Sequence, residues 1–485
     1  MPPQSDAPVP TDPPGGDYDL LPYLSLPLAL TQPSHMGALA ALYGFLAPAA
    51  GTARVLELGC ASCGNIIPLA ARFPDARFLG IDLSPRQIDL ANARIALLGL
   101  TNIEARSGDI TSLALGAEKF DYIICHGVFS WVPEAVRAAI FRLCQDHLTA
   151  GGMATISYNV LPGWRLRQVI RDICMRHAGS SGTPQQRVAR ARAALDQLAA
   201  SARDTEPYGQ LLRTEAKKLV RRPASYILGE FLAAENTPFL FEDFVAAAAR
   251  YGLDFLCEAD LHSGTPELLL ASQQQDRLTS EQRADFVTGR TFRRSVLIRA
   301  LRQPSSPTDY LQSLYFASSS RSADASRSPA SQDAQAASVL RQLAGAYPAT
   351  LPLAALTVTG SPEALHNSLR SLLFRGSAIA SSVPMTMGTA AASRPSAWWL
   401  ARAEAGAGQS WVSSLRHTPV PLPRLAAMLL CLLDGTRGRA ELAGLVENAI
   451  QGGEITLPEL AGAAPAQYVE EKLAFFATKF LLEPD

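Results

Sequence analysis

Lysine is scarce in this chain: five residues among 43 basic side chains in 485 positions. With the abundance of alanine, this is a compositional bias and carries no functional meaning. Cysteine is also sparse. Seven residues, an odd number spread over a long chain, exclude a disulfide framework and lead us to expect a reducing, cytoplasmic setting. Charge of either sign is not in excess: 43 basic and 44 acidic residues leave a net charge of −1. That removes any global pull toward nucleic acid or anionic lipid. No apolar run approaches the ~18–20 residues of a membrane span, and LAAMLLCLL at 425–433 is far too short. The N-terminus MPPQSDAPVPTDPPGGD lacks a basic segment followed by an apolar one, so no secretory signal is read there.

What is present is apolar material for several cores. Hydrophobic residues make up 48% of the chain, and the length predicts two to four domains. Residues 1–17 read as a disordered tail, and 18–48 as an irregular arm followed by a helix that closes at Pro48. From 54 to 159 strands alternate with helices: RVLELG, ARFLGIDL, NIEARSGDI, FDYIICHG and MATISYNV are the strands. Near-continuous apolar strands separated by helices predict an α/β fold with a mainly parallel, Rossmann-like sheet covered on both faces. Ser84 followed by Pro85, with Gly99 beyond, marks the start and stop of one helix. Residues 163–235 read as a helical insertion, with the sheet resuming near 252 and ending near 300. Residues 303–336 read as a Ser/Ala-rich linker, with a short ordered patch expected at YLQSLYF. Residues 337–485 form a mostly helical C-terminal domain, in which 350–383 reads helix, turn, helix, strand, a winged-helix pattern.

The stretch VLELGCASCGNIIPLA (55–70) admits two chemistries. Cys60 and Cys63 have the spacing of a redox pair. However, Glu57 lies three residues away and would raise a thiol pKa. A metal site is not supported, because no second C-x-x-C or H-x-x-x-H supplies further ligands. The other chemistry is a nucleoside cradle. Gly59 and Gly64 flank a strand-to-helix turn where backbone can approach a ligand. Asp82 ends the second strand, placed to accept hydrogen bonds from ribose hydroxyls, and Asp109 ends the third, with Leu83 and Ile110 beside them. The spacing is not G-x-G-x-x-G, which argues against a dinucleotide.

Glu57, Gly59, Gly64, Asp82 and Asp109 together resemble the class I S-adenosylmethionine (SAM) methyltransferases. Ala61 and Cys63 stand where glycines are usual, and both are small enough for the turn to survive. FDYIICHGVFSWVPEAVR, SYNVLPGWRLR and YILGEFLAAENTPFLFEDF look like the bacterial group carrying a methyltransferase regulatory domain, similar to rickettsial protein-lysine methyltransferases. The resemblance implies a SAM-binding core at 49–162, a lid at 163–235 and a regulatory segment at 236–302. It implies cofactor contacts at Glu57, Gly59, Cys60, Gly64, Asp82, Leu83, Asp109, Ile110 and His126.

His126 follows the fourth strand and is either a general base or a loop-holding residue. Tyr158, Asn159 and Trp164 follow the fifth, on the acceptor side, with Phe129 and Trp131 nearby. Tyr18 and Tyr23 of the arm either close over the cofactor or only dock on the surface. No N-P-P-Y or D-P-P-Y follows the fourth strand, which counts against a base amino group as acceptor. Cys125 lacks the Pro-Cys context of cytosine-C5 chemistry. KKLVRR (217–222) reads as a solvated helix face. SPEALHNSLRSLLFRG carries only Arg370 and Arg375, too few cations for a DNA reader. The motif set and the resemblance imply methyl transfer to a protein, with lysine as acceptor and the C-terminal region as docking site. The alternatives are a small-molecule or lipid acceptor, a SAM-binding protein without turnover, and thiol redox chemistry.

Overall fold

The apolar runs become the strands of one sheet. They are β1 (Arg54–Leu58), β2 (Arg77–Asp82), β3 (Ile103–Ser107), β4 (Phe120–Cys125), β5 (Leu148–Asn159), β6 (Leu253–Glu258) and β7 (Phe292–Arg299). Their order is β3-β2-β1-β4-β5-β7-β6. Strands β1 to β5 pair in parallel, and β7 runs antiparallel to both neighbours. The structure is a computed structural model that describes residues 19–261, 277–300, 310–318, 334–357, 361–453, 460 and 462–484. The tail 1–17, Tyr18 and most of the 303–336 stretch lie outside the described residues.

Side chains alternate across the sheet with the period of a strand. Val55 faces one core, while Leu56 and Leu58 face the other. Helices α1 (Pro33–Leu42), α2 (Ile66–Arg72) and α3 (Pro85–Leu97) cover the first face, and α4 (Glu134–His147) the second. The boundaries of α3 follow the expected chemistry. Ser84 Oγ accepts the Gln87 N–H at 3.1 Å, Pro85 takes the first position, and Gly99 ends the segment at φ +65°.

Between β5 and β6 the chain builds α5 (Gly163–Ala178), α6 (Pro184–Ser201), α7 (Pro207–Val220) and α8 (Ala224–Phe231). They share their own core of Ile170, Val188, Leu195, Leu212, Leu219 and Phe231. Then α9 (Phe241–Ala249) packs on the second sheet face, and α10 (Arg277–Thr288) precedes β7.

The C-terminal half contains two units. In the first, β8 (Tyr315–Ala317), β9 (Leu351–Pro352) and β10 (Ile379–Ser381) pair as β10-β8-β9 beside α11 (Ala334–Ala346) and α12 (Pro362–Phe374). The YLQSLYF patch supplies β8. The first helix expected in 350–383 is instead β9 and a 3-10 turn at Leu353–Ala355. The edge position tolerates Pro352, which cannot donate to a ladder and disfavours a helix interior. This unit shares its core with α1 and α2, and the Ser382 N–H bonds to Ser34 O at 2.9 Å. The second unit holds α13 (Trp399–Gly406), the hairpin β11 (Trp411–Ser413) and β12 (Pro419–Pro421), then α14 (Arg424–Leu432), α15 (Arg439–Gln451) and α16 (Pro465–Thr478), around a separate core. No helix among the described residues is long and apolar enough to cross a membrane.

One buried charge cluster ties the late strands to the sheet. Arg293, fully buried, meets Glu258 at 2.8 Å, Asp285 at 2.9 Å and Glu281 at 3.0 Å. Removing one member of a buried pair leaves an uncompensated charge. Arg293→Ala is therefore expected to cost about 3–5 kcal/mol in denaturant unfolding; a loss below about 1 kcal/mol would show that the carboxylates do not depend on it.

Candidate functional site

The sheet order reverses at β1, so its carboxyl end opens a crevice between β2 and β4, where open α/β sheets bind ligands. The turn from β1 to α2 fills the floor. Gly59 has φ +73°, but Ala61 at +48° and Cys63 at +56° also adopt the left-handed region without being glycine. The turn survives both substitutions, at a cost of roughly 1–2 kcal/mol per residue. Its backbone is held by Asp82, whose Oδ2 accepts the Ala61 N–H at 2.8 Å and whose Oδ1 accepts the Ser84 N–H at 2.9 Å. Burial pushes the Asp82 carboxyl up, against the hydrogen bonds that lower it, and Asp19 raises it further.

Glu57 closes the other side. It is 4% exposed, its Oε1 accepts from Asn65 Nδ2 at 2.8 Å, and its Oε2 has no partner. Burial pushes this carboxyl up to about 8, the Asn65 hydrogen bond opposing and Asp82 adding. An orphaned carboxylate oxygen at the head of a crevice calls for a cation or donor from a ligand.

The arm reaches into the same place. The Gly64 N–H donates to Ser25 Oγ at 2.8 Å, and a Cβ on Gly64 would meet Ser25 O at 2.0 Å. Gly59 is pressed in the same way by Val128, whose Cγ2 would lie 2.3 Å from a Cβ. Both glycines thus admit the protein's own chain. Asp19 takes a short hydrogen bond from Ser84 Oγ, and its carbonyl accepts from Arg86 Nη1 at 2.9 Å. Sequence reasoning missed Asp19, Ser25, Asn65 and Val128. Most of their partners lie 34 or more positions away, and although Asn65 meets Glu57 only 8 positions back, no local pattern marks any of them.

The other expected residues separate into two groups. Leu83 is 53% exposed beside Asp82, an apolar surface suited to a planar base. Asp109 is exposed and spends Oδ1 on the N–H and hydroxyl of Thr111, both at 2.8 Å, a local turn contact. Ile110 is half-buried beside it. Cys60 packs against Cys63 with sulfurs 3.5 Å apart, and all seven cysteines are free. The Cys63 hydrogen bond, burial and nearby carboxylates push the Cys60 thiol well above its usual range. A buried Cys60 thiol that resists ionising makes a poor redox nucleophile. Gly80 opposite explains the packing, since a Cβ there would meet the two sulfurs at 2.7 and 2.8 Å.

On the acceptor side, His126 follows β4 with its ring edge-on to Phe292 at 5.9 Å and its Nδ1 unpartnered. Burial, with Arg294 adding, pushes this imidazole down to about 3. Tyr158 points away: it is 1% exposed, bonds Ser295 Oγ at 2.9 Å and stacks on Phe244 at 3.8 Å. It is a core residue because β5 runs through Asn159, so 158 belongs to a buried strand. Asn159 is buried and bonds Asn236 Oδ1 at 3.0 Å. Trp164, fully buried with Nε1 unpartnered, meets Trp131 edge-on at 5.9 Å. Phe129 is core. Tyr23 packs on α8, where its hydroxyl reaches Tyr226 O at 3.3 Å. Tyr18 lies outside the described residues.

Three family models match in order along the chain: a methyltransferase domain at 55–152, a predicted methyltransferase regulatory domain at 223–299 and a PKMT C-terminal winged helix domain at 393–480. An uncharacterized protein of Rickettsia prowazekii is 34% identical over 234 residues, 48% of this chain and 94% of that protein. The chain belongs to the class I methyltransferase family. A second uncharacterized R. prowazekii protein is 40% identical over 287 residues, 58% of this chain and 52% of its own length, so the match spans about half of that relative. The fold is that of Rickettsia typhi PKMT2, solved in complex with AdoHcy, with TM-score 0.79 at 24% identity over 95% of this chain and 100% of that one. The family model places the winged helix at 393–480, after the 350–383 segment that the sequence pattern suggested.

The methyltransferase cofactor is SAM, and the crevice fits it. The orphaned Glu57 Oε2 suits an amino group, the Asp82 carboxylate suits ribose hydroxyls, and exposed Leu83 suits the adenine face. Two predictions follow from this geometry. Ala61→Gly relieves a left-handed alanine and is expected to stabilise the fold by about 0.5–1 kcal/mol, read as a raised Tm; a lowered Tm would contradict the strain. Below pH 8 the Glu57 carboxyl holds its proton, and pairing with an ammonium requires losing it. Affinity for S-adenosylhomocysteine should therefore rise with pH by up to about tenfold per unit until about 8, and Glu57→Gln should flatten the profile.

Proposed function

We propose that this chain transfers the methyl group of SAM to a lysine side-chain amine on a protein substrate. When bound, the cofactor supplies an electrophilic methyl on a sulfonium. The chain's own residues bind, orient and exclude water. Glu57 would hold the amino-acid portion, Asp82 the ribose, and the arm residues Asp19 and Ser25 would wall the crevice.

The feature that supports the lysine reading is the aromatic pair Trp131 and Trp164, edge-on at 5.9 Å, in the segments that follow β4 and β5. An acceptor amine must be neutral, and a free lysine holds its proton to ~10.4. An aromatic, desolvated wall favours the uncharged amine. His126, at about 3, is far too weak a base to take that proton and is read as a neutral positioning group. The winged-helix match carries the PKMT designation, for protein-lysine methyltransferase, which supports a macromolecular acceptor.

Docking of protein rather than DNA is supported by the charge of the C-terminal helices. In α15, Arg439 pairs with Glu470, and Glu441 and Glu447 share the helix. Lys472 and Lys479 lie over the rings of Tyr468 and Phe475. The free cysteines fit a reducing compartment such as the cytoplasm.

Tritiated SAM with bacterial lysate is expected to label protein bands whose hydrolysate yields methyl-lysine. Label confined to lipid or small molecules would overturn the substrate reading. With a protein acceptor, kcat/KM should rise with pH and show no inflection near ~6.5; an inflection there that His126→Gln abolishes would restore a general base.

A further inference from the structure

We propose that the winged-helix unit supplies a positioning residue to the cofactor site: His417, at the tip of the β11–β12 hairpin, fixes Asn65 and through it the Glu57 carboxylate. This rests on the reading of Glu57 as a cofactor residue.

The chain of contacts is specific. His417 Nε2 lies 2.8 Å from Asn65 Oδ1, and Asn65 Nδ2 lies 2.8 Å from Glu57 Oε1. Asn65 Oδ1 also accepts the Leu28 N–H at 3.0 Å, and Asn65 Nδ2 donates to Thr31 Oγ1 at 3.1 Å. The Leu28 N–H, which can only donate, settles which end of the amide is oxygen. An amide oxygen has no proton to give, so His417 must be the donor and carry its proton on Nε2. Burial, with Arg72 adding, keeps the ring neutral by pushing it down to about 3.

The hairpin tip is held as if for this contact. His417 is 2% exposed and sits at φ +60°, a conformation that a side chain of this size rarely adopts. Its own N–H bonds Ser414 O at 2.8 Å. Arg72, on the helix that follows the cofactor turn, donates from Nη1 to Leu415 O at 2.9 Å. The Leu415 N–H bonds Phe480 O at 2.9 Å, which ties the tip back to the end of α16. A strained, buried donor aimed across 352 positions at the residue that holds the cofactor acid makes the C-terminal unit part of the cofactor site. Whatever docks on that unit and shifts the hairpin would then alter cofactor affinity, and the cofactor would alter docking by the same factor.

The test is calorimetric titration of S-adenosylhomocysteine into the full chain and into His417→Gln and His417→Leu. Glutamine keeps an N–H donor near the Nε2 position; leucine keeps volume and loses the donor. The expected result is affinity within about threefold of wild type for glutamine and at least about tenfold weaker for leucine, the loss of one donor to a buried acceptor. Thermal melts without ligand separate this from unfolding. If the leucine variant does not fold, His417→Asn, whose amide reaches the Nδ1 position only, carries the comparison. A variant without the donor that binds like wild type, or glutamine and leucine variants that lose affinity equally, would overturn the proposal. A folded wild type that does not bind would overturn the reading of Glu57 itself, an outcome distinct from either.

Discussion

The hydrogen bond from Asn65 to Glu57 closes the loop on which the site depends. It links the end of β1 to the residue just before α2, and everything between them is the turn proposed to cradle the cofactor. With Asp82 holding the Ala61 N–H from the neighbouring strand, the turn is clamped from both sides. The clamp matters because the turn is built from the wrong residues for its shape. Ala61 and Cys63 take left-handed backbone that glycine would adopt freely.

That strain has company. The four non-glycine residues with positive φ among the described residues are Ala61, Cys63, His417 and Phe480. The last two belong to the hairpin tip and to the segment that pairs with it, and the tip meets Asn65. Strained backbone persists where surrounding contacts over-determine it. Here the contacts come from three separate parts of the chain: the arm through Ser25, the sheet through Asp82, and the C-terminal unit through His417 and Leu415. The same packing accounts for the cysteine pair. Two thiols fill the space that Gly80 leaves on β2, so the C-x-x-C spacing reflects a tight corner rather than redox chemistry.

Much of this was legible in the sequence because it is local. The parallel sheet follows from apolar runs, the start of α3 from Ser84 and Pro85, and the crevice acids from their positions at strand ends. Tyr158 lies within the strand MATISYNV that the sequence marks, but one step along a strand turns a side chain to the other face, and the sequence alone does not settle which face it takes. The β9 segment was misread because Leu and Ala at 351–356 suit a helix until pairing with β8 competes. Asp19, Ser25 and His417 left no trace because their meaning comes from contacts across 65, 39 and 352 positions. A single sequence does not encode such pairings in any local pattern.

The central claim is that the crevice at the head of β1 is a cofactor site organised by Asp82. The most direct measurement is calorimetric titration of S-adenosylhomocysteine into the wild type and into Asp82→Ala. The account predicts roughly micromolar binding, about −8 kcal/mol, that the substitution weakens by tenfold or more while the protein stays folded. A folded wild type that shows no binding, or an Asp82→Ala variant that binds as tightly, would contradict it.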